Sequence, residues 1–210
     1  MNTRIIDELR IYTLVAGALP EYLELAEKVA VPIRGDSYGR LLKIWHGEIG
    51  AANRVFNIWR HKDLNTRQAV RVELEALEAW RNDYVAKVRP LMQQQVIRFM
   101  TPVDIVDAPG TGNLYDVRIF RSRVGQGKEL ASRIVVELPA ADGVCPVGVW
   151  TTFAGSLHEV VHISAYRDWQ VRSNASLVRD PWRGFLARHG SLIEEIDSTL
   201  MLPAVHSPWQ

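Results

Sequence analysis

The chain has 210 residues, 47% hydrophobic and 23% charged, and its 25 basic and 24 acidic side chains leave a net charge of +1. That length exceeds a single domain of roughly 100–150 residues and falls short of three, with apolar material enough for packed cores throughout. So even a charge offers nothing to recruit nucleic acid or an anionic membrane, no run nears the ~18 apolar residues of a membrane span, and Met1 to Arg10 alternates instead of forming an export signal, so a cytoplasmic protein is expected.

Glu8 to Leu14 alternates as a strand does, and Gly17 with Pro20 ends it and opens a helix whose apolar face is Tyr22, Leu25, Ala26 and Val29. Leu41 to Trp45 and Val55 to Trp59 are β-rich runs on either side of Gly47 and Gly50, which predicts an antiparallel pair. A second helix follows, with Asn65 as its expected cap, Gln68 three residues on, and Val70, Leu74, Leu77, Tyr84 and Val88 recurring along one side. Val96 to Met100 supplies a last strand closed by Pro102. The stretch 107–113, with one proline and two glycines, reads as a linker.

The order then repeats. Asp116-Val117-Arg118-Ile119-Phe120 echoes Glu8-Leu9-Arg10-Ile11-Tyr12, Gly125 answers Gly17, and Trp150 with Gly155 answers Trp45 with Gly50. Val160 to Ile163 answers Val55 to Ile58, and Asp168, Arg172, Trp182 and Met201-Leu202-Pro203 answer Asp63, Arg67, Trp80 and Met100-Thr101-Pro102. Ala131, Ile134, Val135 and Leu138 face one way on a helix, and Asp180-Pro181 should break the helix after it. Each half therefore reads βαββαβ, the ferredoxin-like split motif. The expected architecture is α+β: a module over residues 1–106, the linker 107–113, and a second, degenerate module over 114–210.

The run Glu8-Leu9-Arg10-x-Tyr12-Thr13-Leu14-x-x-Gly17 is followed by Trp45-His46-x-Glu48-x-Gly50-x-x-Asn53-x-Val55-x-x-Ile58-Trp59, then by Asp63-Leu64-x-x-Arg67 and Arg89-Pro90-Leu91. Together they resemble the NIPSNAP family over residues 8–102, and residues 115–203 resemble a degenerate second copy. Two positions depart from the family pattern: Asn57 stands where it usually has His, and His61 where it has Tyr, whereas the second copy keeps His162 and Tyr166. The resemblance implies a dimeric α/β barrel, in which two such sheets pair around a cavity; here one chain would supply both sheets. It brings a fold and little chemistry.

Alternation proposes a pocket between those sheets. Leu9 and Ile11, with Phe56 and Ile58, are expected under the helices, and Glu8, Arg10, Tyr12, Asn57 and Trp59 on the opposite face. Asp116, Arg118, Phe120, His162 and Tyr166 repeat this in the second copy. Aromatic, guanidinium and imidazole groups on one face suit a ligand cavity, although carboxylate–arginine neighbours also serve as plain buried pairs. Arg10 and Arg118 would hold an acidic or enolate oxygen, His162 would move a proton, and His46 is a second candidate acid or base; both histidines are also read as ordinary hydrogen-bonded core residues. Trp45, Trp59 and Trp150 would grip a polycyclic ligand, or merely pack.

His158-Glu159-Val160-Val161-His162 spells a zinc-protease motif, but that chemistry needs a helix. As a strand the segment would set the imidazoles roughly 13 Å apart at ~3.3 Å per residue, too far to share a metal, and no metal or other cofactor is expected. Gly125-x-Gly127-Lys128 lacks the spacing of a phosphate loop, and Cys145, the single cysteine, has no local signature of a nucleophile. The function expected is binding of a small, largely apolar molecule, anionic if the arginines serve it, between the two sheets. A cofactor-independent isomerase, lyase or oxygenase fits that, a non-enzymatic interaction or ligand-carrier protein is the alternative, and haem binding is a third. A homo-oligomer of the fused pair stays open.

Overall fold

In the computed structural model, residues 5–106 and 113–208 are described; the expected linker at 107–113 lies outside them apart from Asn113. The first module comprises β1 (Ile6–Leu14), α1 (Leu19–Leu25), α2 (Val31–Arg34), β2 (Arg40–Ile49), β3 (Arg54–His61), α3 (Leu64–Ala76), α4 (Ala86–Val88) and β4 (Met92–Ile105). In the second come β5 (Leu114–Ser122), α5 (Gly127–Glu137), β6 (Val144–Ala154), β7 (Glu159–Tyr166), α6 (Trp169–Asn174), α7 (Trp182–His189) and β8 (Ile193–Pro203). The βαββαβ order holds in both, and the second helix of the second copy is interrupted before Trp182 as Asp180-Pro181 predicts. The cap expected at Asn65 is instead Asp63, whose carboxylate accepts from Thr66 N at 2.7 Å, and Asp168 does the same for Val171 N at 2.9 Å.

All eight strands close one antiparallel barrel in the order β1-β3-β2-β8-β5-β7-β6-β4. The fold is thus a dimeric α/β barrel built from a single chain. Its modules meet at two seams, β2 with β8 and β4 with β6, and the repeats are visible there: Pro203 stands opposite Trp45 and Pro102 opposite Trp150. Gly50 (φ +100°) and Gly155 (φ +95°) turn the equivalent hairpins in a conformation that a side chain would strain. Among the described residues no helix is long and apolar enough to cross a membrane.

Which face looks inward is the reverse of the expectation. Leu9, Ile11, Phe56 and Ile58 of the first module and Val117, Ile119, Val161 and Ile163 of the second form one cluster, so they fill the barrel interior. Tyr12, Val55, Tyr22, Leu74 and Tyr84 form another, beneath the helices of the first module. Glu8, Arg10, Tyr12, Asn57 and Trp59 therefore face helices, not the second sheet. Each sheet is covered on both sides, so alternation separates the two faces without saying which cover lies over which. Glu8 and Asp116 lie on the helix side, where Arg67 of α3 and Arg172 of α6 reach them.

Candidate functional site

Trp45 and Trp150, expected to grip a ligand, are fully buried barrel filling. Trp45 meets Tyr115 edge-on at 5.7 Å, and Trp150 Nε1 donates to Asp7 Oδ2 at 2.7 Å, tying the modules together. Arg60 forks onto the same Asp7 at 2.9 and 3.0 Å. Lys43, opposite Ile58, also lies inside, 4.7 Å above the Tyr115 ring, and burial pushes its ammonium down to about 8.

Under each set of helices sits an ionic cluster in related positions. Glu8 takes both arms of Arg67 at 3.0 Å, with His61 at 3.5 Å and Arg10 at 3.6 Å. Burial would raise that carboxyl, but the His61 and Arg67 hydrogen bonds outweigh it and hold Glu8 well below the ordinary range. In the second module Asp116 meets Arg118 at 2.6 Å, Arg172 at 2.8 Å and Ser198 at 2.7 Å. These contacts anchor strand to helix, and they leave Arg118 committed while Arg10 stands at the margin of its carboxylate.

The modules diverge above those clusters. In the second, Trp182 is buried with its ring 4.3 Å from the Arg118 guanidinium, 5.6 Å from His162 and 5.7 Å from Phe120. His162 bonds Ser164 Oγ at 3.1 Å, and burial, aided by Arg118, pushes it down to about 3. A neutral, enclosed imidazole cannot cycle a proton near neutrality, so the role expected for His162 is not supported by its surroundings. Tyr166 is buried beside the same cluster with its hydroxyl pushed up by burial. His46 lies half-buried on the helix-facing side of β2, opposite Val55.

In the first module the equivalent space is a cavity of about 360 Å³ between sheet and helices. Its sheet side is Arg10 and Tyr12 of β1, Asn57 and Trp59 of β3, and Leu41 and Ile44 of β2. Its helix side is built largely from two π-helical stretches, Ala26–Ala30 and Trp80–Val85, which contribute Ala26, Ala30, Trp80, Arg81, Tyr84 and Val85. Such widened turns are rare and concentrate at functional sites; none occurs among the described residues of the second module. Trp59 Nε1 donates to Asn57 Oδ1 at 2.7 Å, and the Arg34 guanidinium lies 3.3 Å over the Trp59 ring. Arg34 donates to Tyr38 O at 2.9 and 3.3 Å and has no carboxylate within ion-pair range among the described residues. Burial first, then the nearby Arg10 charge, pushes it down to about 9, so it remains a cation at neutral pH. Tyr22 and Tyr84, paired with each other, have hydroxyls pushed up by burial, the latter to about 12, and stay as donors.

Of the residues picked from sequence, Arg10, Tyr12, Asn57 and Trp59 thus share one site, and Arg118, His162, Tyr166, Trp45, Trp150 and His46 lie outside it. Barrel filling separates Arg10 from Arg118, which cannot share a ligand. Arg34, Tyr22, Trp80, Tyr84 and His206 also line the cavity. Tyr22 and Tyr84 carried a signal as helix-face residues, whereas Arg34 and His206 sit at a helix end and in the terminal tail, where no periodicity marks them.

The NIPSNAP family model matches residues 7–106 and 115–208. A NipSnap homolog of Dictyostelium discoideum is 21% identical over 93% of this chain and 86% of its own length. The human NipSnap homolog 2 is 24% identical over 97% and 74%. Among solved structures, one from Lactobacillus acidophilus, provisionally described as a monooxygenase, aligns with a TM-score of 0.70 at 12% identity over 96% of this chain and 95% of that one.

Proposed function

Because the chain belongs to the NIPSNAP family, as two fused modules of that family, we propose that it binds a small amphipathic anion in the cavity of its first module, not between its sheets. One observation carries the reading: Arg10 and Arg34, both buried, face a roomy aromatic-walled cavity in which Arg10 meets Glu8 only at 3.6 Å, Arg34 meets no carboxylate among the described residues, and the lining Glu75 is taken by Arg71 at 2.7 Å. Glu8 is already engaged by both arms of Arg67 and only shared with Arg10, and guanidinium charges so weakly compensated are costly to bury. A carboxylate or enolate would answer both, since a guanidinium offers a directed pair of donors. Trp59, Trp80 and the tyrosines provide the flat walls that an aromatic or alicyclic body needs. The same donors would stabilise an oxyanion as it develops, which keeps cofactor-independent oxygenase or isomerase chemistry beside plain carriage; the likeness to the Lactobacillus structure bears on fold alone.

Calorimetric titration with 2-naphthoate and its neutral amide tests the anion requirement. The naphthoate should bind better, and Arg34→Met should weaken it by about 10-fold or more while sparing the amide, because a charge-assisted bond is lost. Equal affinities for acid and amide, indifferent to Arg34→Met and Arg10→Met, would overturn the reading.

A further inference from the structure

The cavity of the first module is completed by a residue of the second. After β8 the chain runs on beside β2: Ala204 N donates to Ile44 O at 3.0 Å, and Ser207 Oγ accepts from Ile44 N at 3.1 Å. Ala204 is 2% exposed and belongs to the apolar cluster under the helices of the first module, and Ser207 is 4% exposed. Pinned on both sides, His206 lines the cavity, and its Nε2 is a buried atom without a hydrogen-bond partner. From the strand order, Arg10 and this tail stand three strand spacings apart, roughly 14 Å between backbones at ~4.8 Å per spacing. The cavity therefore has a cationic side at Arg10 and Arg34 and an imidazole at its far edge.

Building on the anion-binding reading above, we infer that His206 Nε2 is the proton acceptor of the cavity and selects ligands that carry, away from their anionic group, a weakly acidic O–H or N–H. A buried polar atom left unpartnered costs about 1–3 kcal/mol, which such a donor recovers and an apolar ring edge does not. Burial lowers the imidazole against a smaller opposing pull from Glu27, consistent with a neutral ring that can accept. The ligand class is thereby narrowed to bifunctional molecules such as hydroxy-aryl carboxylates. Selection against the analogue lacking the hydroxyl follows because a site built to accept it is left incomplete.

Paired titrations with 2-naphthoate and 6-hydroxy-2-naphthoate decide the matter. Wild type should prefer the hydroxy compound by about 5–10-fold, and only that compound should shift the His206 Nε2 resonance in ¹⁵N NMR. His206→Leu should abolish the preference, bringing the two naphthoates to equal affinity, and His206→Gln should restore part of it. The tail contacts of Ala204 and Ser207 do not involve the ring, so a melting temperature no lower than that of wild type checks that His206→Leu stays folded. A preference that is absent in wild type, or that survives His206→Leu, overturns the inference even where Arg34→Met still weakens both probes. Conversely, a His206-dependent preference without Arg34 dependence sinks only the anion reading, and binding of neither naphthoate sinks both.

Discussion

His162 and Arg34 are both buried polar residues, yet only one of them faces open space. His162 is neutral because its folded state resists protonation, and this has a thermodynamic sign. Its folded value, about 3, lies below the ordinary 6.5, so protons favour the unfolded chain. The stabilisation is complete above pH 6.5 and is lost as pH falls from there toward 3, by up to about 1.4 kcal/mol per unit. Glu8, also held low, adds to acid lability only below its own ordinary 4.5, so the window from 6.5 to 4.5 belongs to the two histidines held low, His162 and, less deeply buried, His206. His162→Asn should flatten the decline there, as read from urea midpoints at stepped pH. An equally steep decline in the variant would mean that another group carries it. That His162 is an interior histidine was visible in its β-rich neighbours; that a tryptophan seals it was not, because Trp182 lies 20 residues away on a helix.

Elements that recur in sequence recur in the fold wherever a turn or a seam dictates them. Gly50 with Gly155, Asp63 with Asp168 and Pro102 with Pro203 take equivalent places in the two modules, as their matching order implied. The assignment of faces failed because each strand is covered on both sides, and period-2 alternation separates the polar-bearing face of β1 and β3 from the apolar one without an inward arrow. The π-helical stretches were illegible for another reason: a helix is read at a period of 3.6, and local widening depends on what it packs against. Of the ten residues picked from sequence, Arg10, Tyr12, Asn57 and Trp59 line the cavity, because they share one sheet face on adjacent strands; Arg34 and His206 enter from irregular segments. The difference between the modules rests on one helix start. Trp182→Ala should cost about 3–5 kcal/mol and admit water beside Arg118 and His162. By ¹H–¹⁵N NMR the His162 imidazole should then titrate nearer 6.5. An imidazole still neutral at pH 4 in that variant would show that Trp182 does not seal it.

At the scale of the molecule, the barrel interior belongs to neither module alone. A fragment of residues 1–106 would present Leu9, Ile11, Phe56, Ile58 and Trp45 to water along with the free edges of β2 and β4. Expressed alone it should self-associate or aggregate, and mixing it with 113–210 should restore a one-to-one complex by light scattering. A well-behaved monomer of 1–106 would be at odds with the shared core. Fusion also frees the two halves from having to match. An assembly of two identical chains must carry two equal cavities by symmetry, open to cooperation between them. Here Trp182 occupies one of the two places, so the binding proposed for the first module should saturate at one ligand per chain along a simple hyperbola, and substitutions near Arg118 should leave occupancy at Arg10 unchanged.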